Sequence, residues 1–338
     1  MERQNNFDFL RLLFSSLVIF SHSFPLTQNE EILAKFTNNQ LEFGSLSVNI
    51  FFIMSGYLIF NSLKFSKTPQ SYIWKRILRL FPALLVMLLI SLLIIIWVYR
   101  GNNILCQTDF YTYLPNNLSL YKVQHFVNGV FENNPLPKDI NGSLWSLSYE
   151  FTMYIFVLLL FPIRKNKLLV IITLSLFFLI SYYAILFRPS FLKNIFALIS
   201  LKTIHLYRLS TFFIAGSLLS LVNLQKVNNN WIKTFLFLGL VMSIILDVYN
   251  IFSFLLLPLL VILVCISFSK QLAFIPNLIG DISYGVYIYG FIVQQTLMNF
   301  FILNPYELAV ISLSITYIFS YLSWNYVEKK MLKYKNMF

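Results

Sequence analysis

The chain has 338 residues, of which 58% are hydrophobic and only 11% are charged, and its formal net charge is +12. A soluble domain of this length is not expected to be so apolar, so the composition predicts a protein embedded in a lipid bilayer. The positive charge does not indicate nucleic-acid binding, because the basic residues are scattered between apolar segments and not gathered on one solvated face.

Apolar segments recur along the whole chain at lengths that suit membrane-spanning helices. They lie near 9–26, 46–63, 79–99, 148–163, 168–187, 208–223, 231–249, 251–268, 283–302 and 306–325. No internal repeat or Gly/Ser-rich linker divides them. We therefore predict an all-α, polytopic transmembrane bundle of about ten helices that forms one domain over residues 1–338.

The placement of Lys and Arg predicts the orientation, since basic residues in short loops stay in the cytoplasm. A cytoplasmic N-terminus puts most of the 25 basic residues on the inner side. The basic loop 188–207, assigned to the outer side, is the one exception. We predict a multi-pass protein of the cell inner (cytoplasmic) membrane with both termini in the cytoplasm.

The first apolar segment contains two ionisable residues, Arg11 and His22. Eleven positions of helix separate them by ~16 Å, so Arg11 lies near one membrane face and His22 past the middle. Ionisable groups at such depth are costly and usually mark a functional site. The alternative is a snorkelling Arg at a helix end and a hydrogen-bonded core His.

The third apolar segment begins with a basic stretch that includes Arg76 and Arg79. Residues three apart share a helix face, and guanidinium groups match phosphate oxygens well. We therefore predict a phosphate-bearing ligand at the inner mouth of the bundle. The alternative is an anchor that contacts anionic lipid headgroups. In the second segment, small residues such as Ser55 and Gly56 predict close helix packing.

Residues 100–147 form the longest stretch without a predicted helix, about 45 residues on the outer side, and such loops are often functional. The next helix carries Glu150 into the membrane from the outside. This predicts that Glu150 lies in the outer half, where it can orient His22. A Tyr-rich run follows Asp281 and predicts an interfacial belt, and the basic C-terminal tail predicts a cytoplasmic anchor.

Six blocks of sequence, taken together, resemble the acyltransferase-3 family of integral membrane O-acyltransferases. They occur in the family's order at 7–11 with His22, 49–57, 75–82, 143–151, 282–287 and 326–329. Two departures are Gly290, where the family often has His, and the end of the chain at Phe338, where many members add an extracytoplasmic domain.

The resemblance implies transfer of an acyl group, usually acetyl, from cytoplasmic acetyl-CoA to a hydroxyl of a cell-envelope sugar. In this interpretation Arg76 and Arg79 bind the phosphates of the donor. His22 is the general base, or alternatively a nucleophile that carries the acyl group. Glu150 orients or recharges His22. Arg11 positions the donor or pairs with an acidic residue such as Asp8 or Glu328, and no metal is expected.

Two other classes of protein share some of these features. A proton-coupled transporter or flippase also has intramembrane His and Glu residues and a basic inner mouth, although the sequence has no inverted pair of Gly/Pro-broken helices. A scaffolding membrane protein would use every polar residue for packing. The sequence does not identify the acceptor sugar or the oligomeric state.

Overall fold

The computed structural model describes residues 5–337 and is helical, without a β-strand in that range. Residues 1–4 and 338, which the single-domain prediction includes, lie outside the described residues. The all-α prediction is confirmed. The helices are α1 (Phe7–Leu26), α2 (Ile32–Phe36), α3 (Phe43–Phe65), α4 (Pro69–Val98), α5 (Thr108–Leu118), α6 (Trp145–Leu159), α7 (Lys167–Phe187), α8 (Lys193–Ala197), α9 (Thr203–Leu219), α10 (Asn230–Ile245), α11 (Tyr249–Ile266), α12 (Lys270–Ile279), α13 (Ser283–Phe300), α14 (Pro305–Ser323) and α15 (Lys329–Met331).

Six helical spans within the described chain are long and apolar enough to cross a membrane: Phe7–Leu26, Phe43–Phe65, Pro69–Val98, Lys167–Phe187, Tyr249–Ile266 and Pro305–Lys335. The protein is therefore a multi-pass membrane protein. Each predicted apolar segment overlaps a helix, but α6, α9 and α10 have only 15, 17 and 16 residues. About ten spans and cytoplasmic termini stay predictions, and inner and outer refer to that predicted orientation.

Two glycines permit the close crossing of α3 and α9 near the centre of the bundle. A Cβ on Gly56 would collide with the backbone carbonyl of Phe213 in α9. A Cβ on Gly216 would collide in the same way with the carbonyl of Ile53 in α3. Close helix approach at Gly56, which the small residues of this segment predict, is therefore present.

The outer stretch 100–147 is partly helical, which the sequence analysis did not predict. It contains α5, whose Phe110, Tyr113, Leu114 and Asn117 lie at helical spacing. Tyr113 and Asn117 are buried, and α5 packs against α4. The polar residues and Pro115 make this helix hard to recognise in the sequence. It has no long apolar run, because its stability comes from packing against α4.

Candidate active site

A cavity of about 860 Å³ opens between α1, α3, α4, α6 and α13 and the C-terminal segment, residues 324–335. This volume lies toward the upper end of the ~300–1,000 Å³ typical of ligand sites. Five basic and three acidic side chains line it, so it has a surplus of positive charge: Arg11, Lys75, Arg76, Arg79, Lys335, Asp8, Glu150 and Asp281. Four of the five predicted site residues thus share one cavity; His22 is the exception.

Arg79 and Arg11 meet at the carboxylate of Asp281, in the turn before α13. Arg79 Nη2 donates a hydrogen bond to Asp281 Oδ2 at 2.6 Å, and Arg11 Nη1 lies 3.6 Å from the same oxygen. Burial raises the pKa of Asp281, but the two arginines outweigh it and lower the pKa to about 2. The carboxyl is therefore ionised, and Arg11 has an acidic partner other than the two suggested by the sequence.

Arg76 is the arginine of the cavity that has no carboxylate partner in the described chain. Its Nη2 donates to Ser62 Oγ at 3.2 Å, and its guanidinium lies 5.9 Å from the ring centroids of Tyr72 and Tyr154. Its Nε is buried without a hydrogen-bond partner, and no carboxylate in the described chain lies within 4.0 Å. Its charge is therefore available to an anionic ligand.

Glu150 lies with the arginines and not beside His22. Its Oε1 accepts hydrogen bonds from Ser55 and from Tyr154, whose ring adjoins Arg76. Ser55 is twelve residues, or ~18 Å, from the outer end of α3, whereas His22 is four residues, or ~6 Å, from the outer end of α1. The structure therefore places Glu150 near the middle of the bundle, ~12 Å deeper than His22, and no hydrogen bond joins the two within the described residues.

The physical reason is that the chain descends into the bundle before α6 begins. Gln295 Nε2 donates to the carbonyls of Leu136 and Asp139 at 3.0 and 2.6 Å. Farther in, Asn141 Nδ2 donates to the carbonyl of Ile288 at 2.8 Å. The segment 136–141 thus follows α13 inward for seven residues, or ~10 Å. The helix that carries Glu150, α6, therefore begins at this depth and not at the membrane surface.

His22 lies beyond the outer end of the cavity and is partly buried. Its ring makes an edge contact with Phe291, with centroids 5.2 Å apart. Nδ1 is buried without a hydrogen-bond partner in the described structure. Asp139 lies beside the Phe291 ring that His22 contacts, since a Cβ built on Gly142 would lie 3.1 Å from Asp139 Oδ2 and 2.8 Å from that ring. Asp139, and not Glu150, is therefore the acidic neighbour of His22.

The helices that hold His22 are fastened together by Gln294. Its Nε2 donates to the carbonyl of Ile19 and to the hydroxyl of Ser23, both at 2.8 Å. Gly290, where the sequence departs from the family pattern, lies one turn earlier on α13. A Cβ there would lie 2.5 Å from Ile19 Cγ1. Gly290 therefore lets α13 pack directly against α1, and a His at this position would not fit.

The C-terminal segment belongs to the cavity wall, which corrects its interpretation as a plain anchor. A π-helical turn spans Trp324–Glu328, a feature often found at functional sites. The Trp324 ring centroid lies 6.0 Å from the Arg79 guanidinium, and Glu328 is buried. Asp281 is a site residue that the sequence does not reveal, because the Tyr-rich block that follows it is typical of an interfacial belt.

The site has two parts, a cavity that can bind an anion and a titratable ring beyond it. The inner cavity presents guanidinium groups to an anion, and its outer end is formed in part by Tyr287. Phe291 follows Tyr287 by one helical turn on the same face of α13 and contacts His22. The titratable ring thus lies about one turn beyond the ligand cavity. No cluster of metal-ligating side chains occurs within residues 5–337.

The chain is similar to known proteins over nearly its whole length. A family model described as an acyltransferase domain matches residues 4–325. The chain is 28% identical over 341 residues to an O-acetyl transferase of Shigella phage Sf6, covering 98% of this chain and 97% of that protein. It is 27% identical over 359 residues to Nodulation protein 10 of Rhizobium leguminosarum bv. viciae, covering 98% and 94%. No solved structure matches the chain at a significant level.

Proposed function

We propose that this chain, which belongs to the acyltransferase-3 family and is an acyltransferase, moves an acetyl group from cytoplasmic acetyl-CoA to a hydroxyl of a cell-envelope polysaccharide or lipid-linked sugar. The observation that carries the donor side of the proposal is the convergence of Arg11, Arg76 and Arg79 on one inner cavity. Coenzyme A bears a pyrophosphate and a ribose phosphate, which guanidinium groups bind well.

The residues fit such a donor in charge and in position. Arg76 has no carboxylate partner among the described residues and is the main candidate for a phosphate contact. Arg79 and Arg11 share Asp281, which fixes their positions and leaves them partly exposed, at 20% each. The acyl end of the donor would then point outward along α13, past Tyr287 toward His22.

His22 is the proposed general base on the acceptor hydroxyl. The hydroxyl gives its proton to His22 while its oxygen bonds to the acyl carbon. The carbon–sulfur bond of the thioester breaks, and the proton finally resides on the thiol of coenzyme A. A hydroxyl has a pKa far above 7, so a positioned base typically contributes ~10²–10⁴-fold to such a step. The same ring carries the acyl group in the alternative route.

The experiment uses purified protein in liposomes, acetyl-CoA labelled in its acetyl group, and envelope polysaccharide from cells that lack the gene. We expect label on the polysaccharide in an amount equal to the free coenzyme A released. A transporter would move a solute without consuming the thioester. Intact acetyl-CoA and unlabelled polysaccharide would therefore contradict the proposal.

A further inference from the structure

A second, smaller pocket of about 180 Å³ lies on the outer side of the bundle. Three segments enclose it: residues 120–125 of the outer stretch, the first turns of α6, and residues 200–205 before and within α9. Its volume is below the ~300 Å³ of sites for drug-sized ligands, so it suits a single ring. None of the predicted site residues lines this pocket, and it shares no lining residue with the inner cavity.

Aromatic rings form one wall of this outer pocket. The rings of Trp145 and Tyr149 meet edge-on with centroids 5.6 Å apart, and the ring of His205 lies 4.8 Å from that of Trp145. Tyr149 is held in place because its hydroxyl accepts a hydrogen bond from the backbone N–H of Lys202 at 2.9 Å. The pocket therefore offers a preformed aromatic surface to the face of a ring.

Polar groups line the rest of the outer pocket. His125 Nδ1 lies 3.2 Å from Asp139 Oδ1, which fixes the orientation of the imidazole and directs its second nitrogen away from the carboxylate. Lys202, His205 and Ser148 add further polar atoms, and no carboxylate lines the pocket. Aromatic faces for C–H groups together with neutral and cationic donors for hydroxyls are the chemistry that holds a sugar ring.

The outer pocket is adjacent to the groups that would carry out the transfer. Ser146 and Leu147 line the inner cavity, whereas Trp145, Ser148 and Tyr149 line the outer pocket, so the first turns of α6 separate the two. Asp139, the partner of His125, is also the acidic neighbour of His22. A hydroxylated ring held here would therefore lie close to the proposed base.

We propose that the outer pocket binds a sugar ring of the acceptor, with Trp145 and His205 as the stacking surface and His125 and Lys202 as hydrogen-bond donors. This inference rests on the proposed acetyl transfer, because it assigns the acceptor side of the same reaction. It separates donor and acceptor recognition between two cavities on either side of the first turns of α6.

The test measures KM for acceptor and for acetyl-CoA separately in the liposome assay, with alkali-treated polysaccharide from gene-deficient cells as the acceptor. Lys202→Ala and His205→Ala should each raise the KM for polysaccharide about tenfold, the effect of one lost charged or aromatic contact of about 1.4 kcal/mol. The KM for acetyl-CoA should not change. Lys122→Ala is the matched control, since this exposed lysine lies in the same outer region but does not line the pocket.

The outcomes separate the two proposals. If the wild-type protein transfers label but both variants keep the wild-type KM for polysaccharide, the outer pocket is not the acceptor site. If the wild-type protein transfers no label, the proposed function fails and the inference fails with it. His205→Gln keeps a polar side chain in case the Ala variant does not fold, and it should still raise the KM because it lacks the aromatic ring.

Discussion

Arg79 donates a hydrogen bond to Asp281 at 2.6 Å, although 202 positions separate the two residues in the chain. Because Asp281 also lies 3.6 Å from Arg11, one carboxylate holds two guanidinium groups at the inner mouth. The contact joins α1, α4 and the start of α13. It both fastens the inner ends of three helices and orients the positive charges of the donor cavity.

Asp281→Asn should destabilise the protein by about 1–3 kcal/mol, because it leaves two partly buried guanidinium groups without a charged partner. The measurement is thermal unfolding in detergent, with gel filtration to confirm a folded sample. Asp247→Asn is the control, since Asp247 is exposed in the turn between α10 and α11 and its positive φ suits Asn. Equal unfolding temperatures for Asp281→Asn and wild type would contradict this role.

The pKa of Asp281 also predicts how the stability difference between wild type and Asp281→Asn depends on pH. The folded-state pKa, about 2, lies below the ordinary value of 3.8, so the ion pair stabilises the fold above about pH 4 and its contribution is lost as the pH falls toward 2. The difference between wild type and Asp281→Asn should therefore be constant between about pH 5 and 8. A difference that shrinks across this range would mean that the carboxyl is not held ionised.

Arg76→Ala should raise the KM for acetyl-CoA by about tenfold or more, because hydrogen bonds to charged groups contribute roughly 1.5–3 kcal/mol. Arg76→Lys should recover only part of the loss, since it keeps the charge but not the planar fork. The control is Lys67→Ala, an exposed basic residue on the same inner side. If Arg76→Ala keeps the wild-type KM, Arg76 does not bind the phosphates of the donor.

Glu150→Gln should lower the KM for acetyl-CoA, because it removes a negative charge from the cavity that holds Arg76, and it should leave the midpoint of the pH–kcat profile unchanged, because the hydrogen bonds of Glu150 are to Ser55 and Tyr154. Asp139→Asn is the matched comparison, since it removes the same charge close to His22. Asp139→Asn should move the midpoint of the pH–kcat profile. A shifted profile for Glu150→Gln would restore the sequence-based role of Glu150 in orienting His22.

Gly290→Ala should destabilise the protein by about 1–3 kcal/mol, as overpacking of a tight helix contact does. The reason is the collision of the new Cβ with Ile19 Cγ1 and Cδ1. Adding Ile19→Ala removes both colliding atoms, so the double variant should be more stable than the sum of the single effects predicts. A double-mutant cycle of unfolding free energies measures this, and strict additivity would contradict direct packing at this point.

The sequence predicts the long apolar helices and the shared face of Arg76 and Arg79, since both are local properties of helix period and composition. It does not predict Asp281 as the partner of Arg79, because that contact depends on how distant helices meet. The sequence does not predict that Glu150 lies deeper than His22, for a similar reason: the hydrogen bonds that hold residues 136–141 along α13 come from Gln295 and Asn141, and no sequence period reveals them.

His22 is the proposed group that activates the acceptor hydroxyl. His22→Ala should reduce acetyl transfer to polysaccharide by about 10²–10⁴-fold while the variant still inserts in the membrane and binds acetyl-CoA. Mass spectrometry of envelope glycans from cells with each variant measures this directly. With His22→Ala, each glycan residue that carries an acetyl group in wild-type cells should be lighter by about 42 Da, as in cells without the gene. Near-normal acetylation with His22→Ala would contradict it.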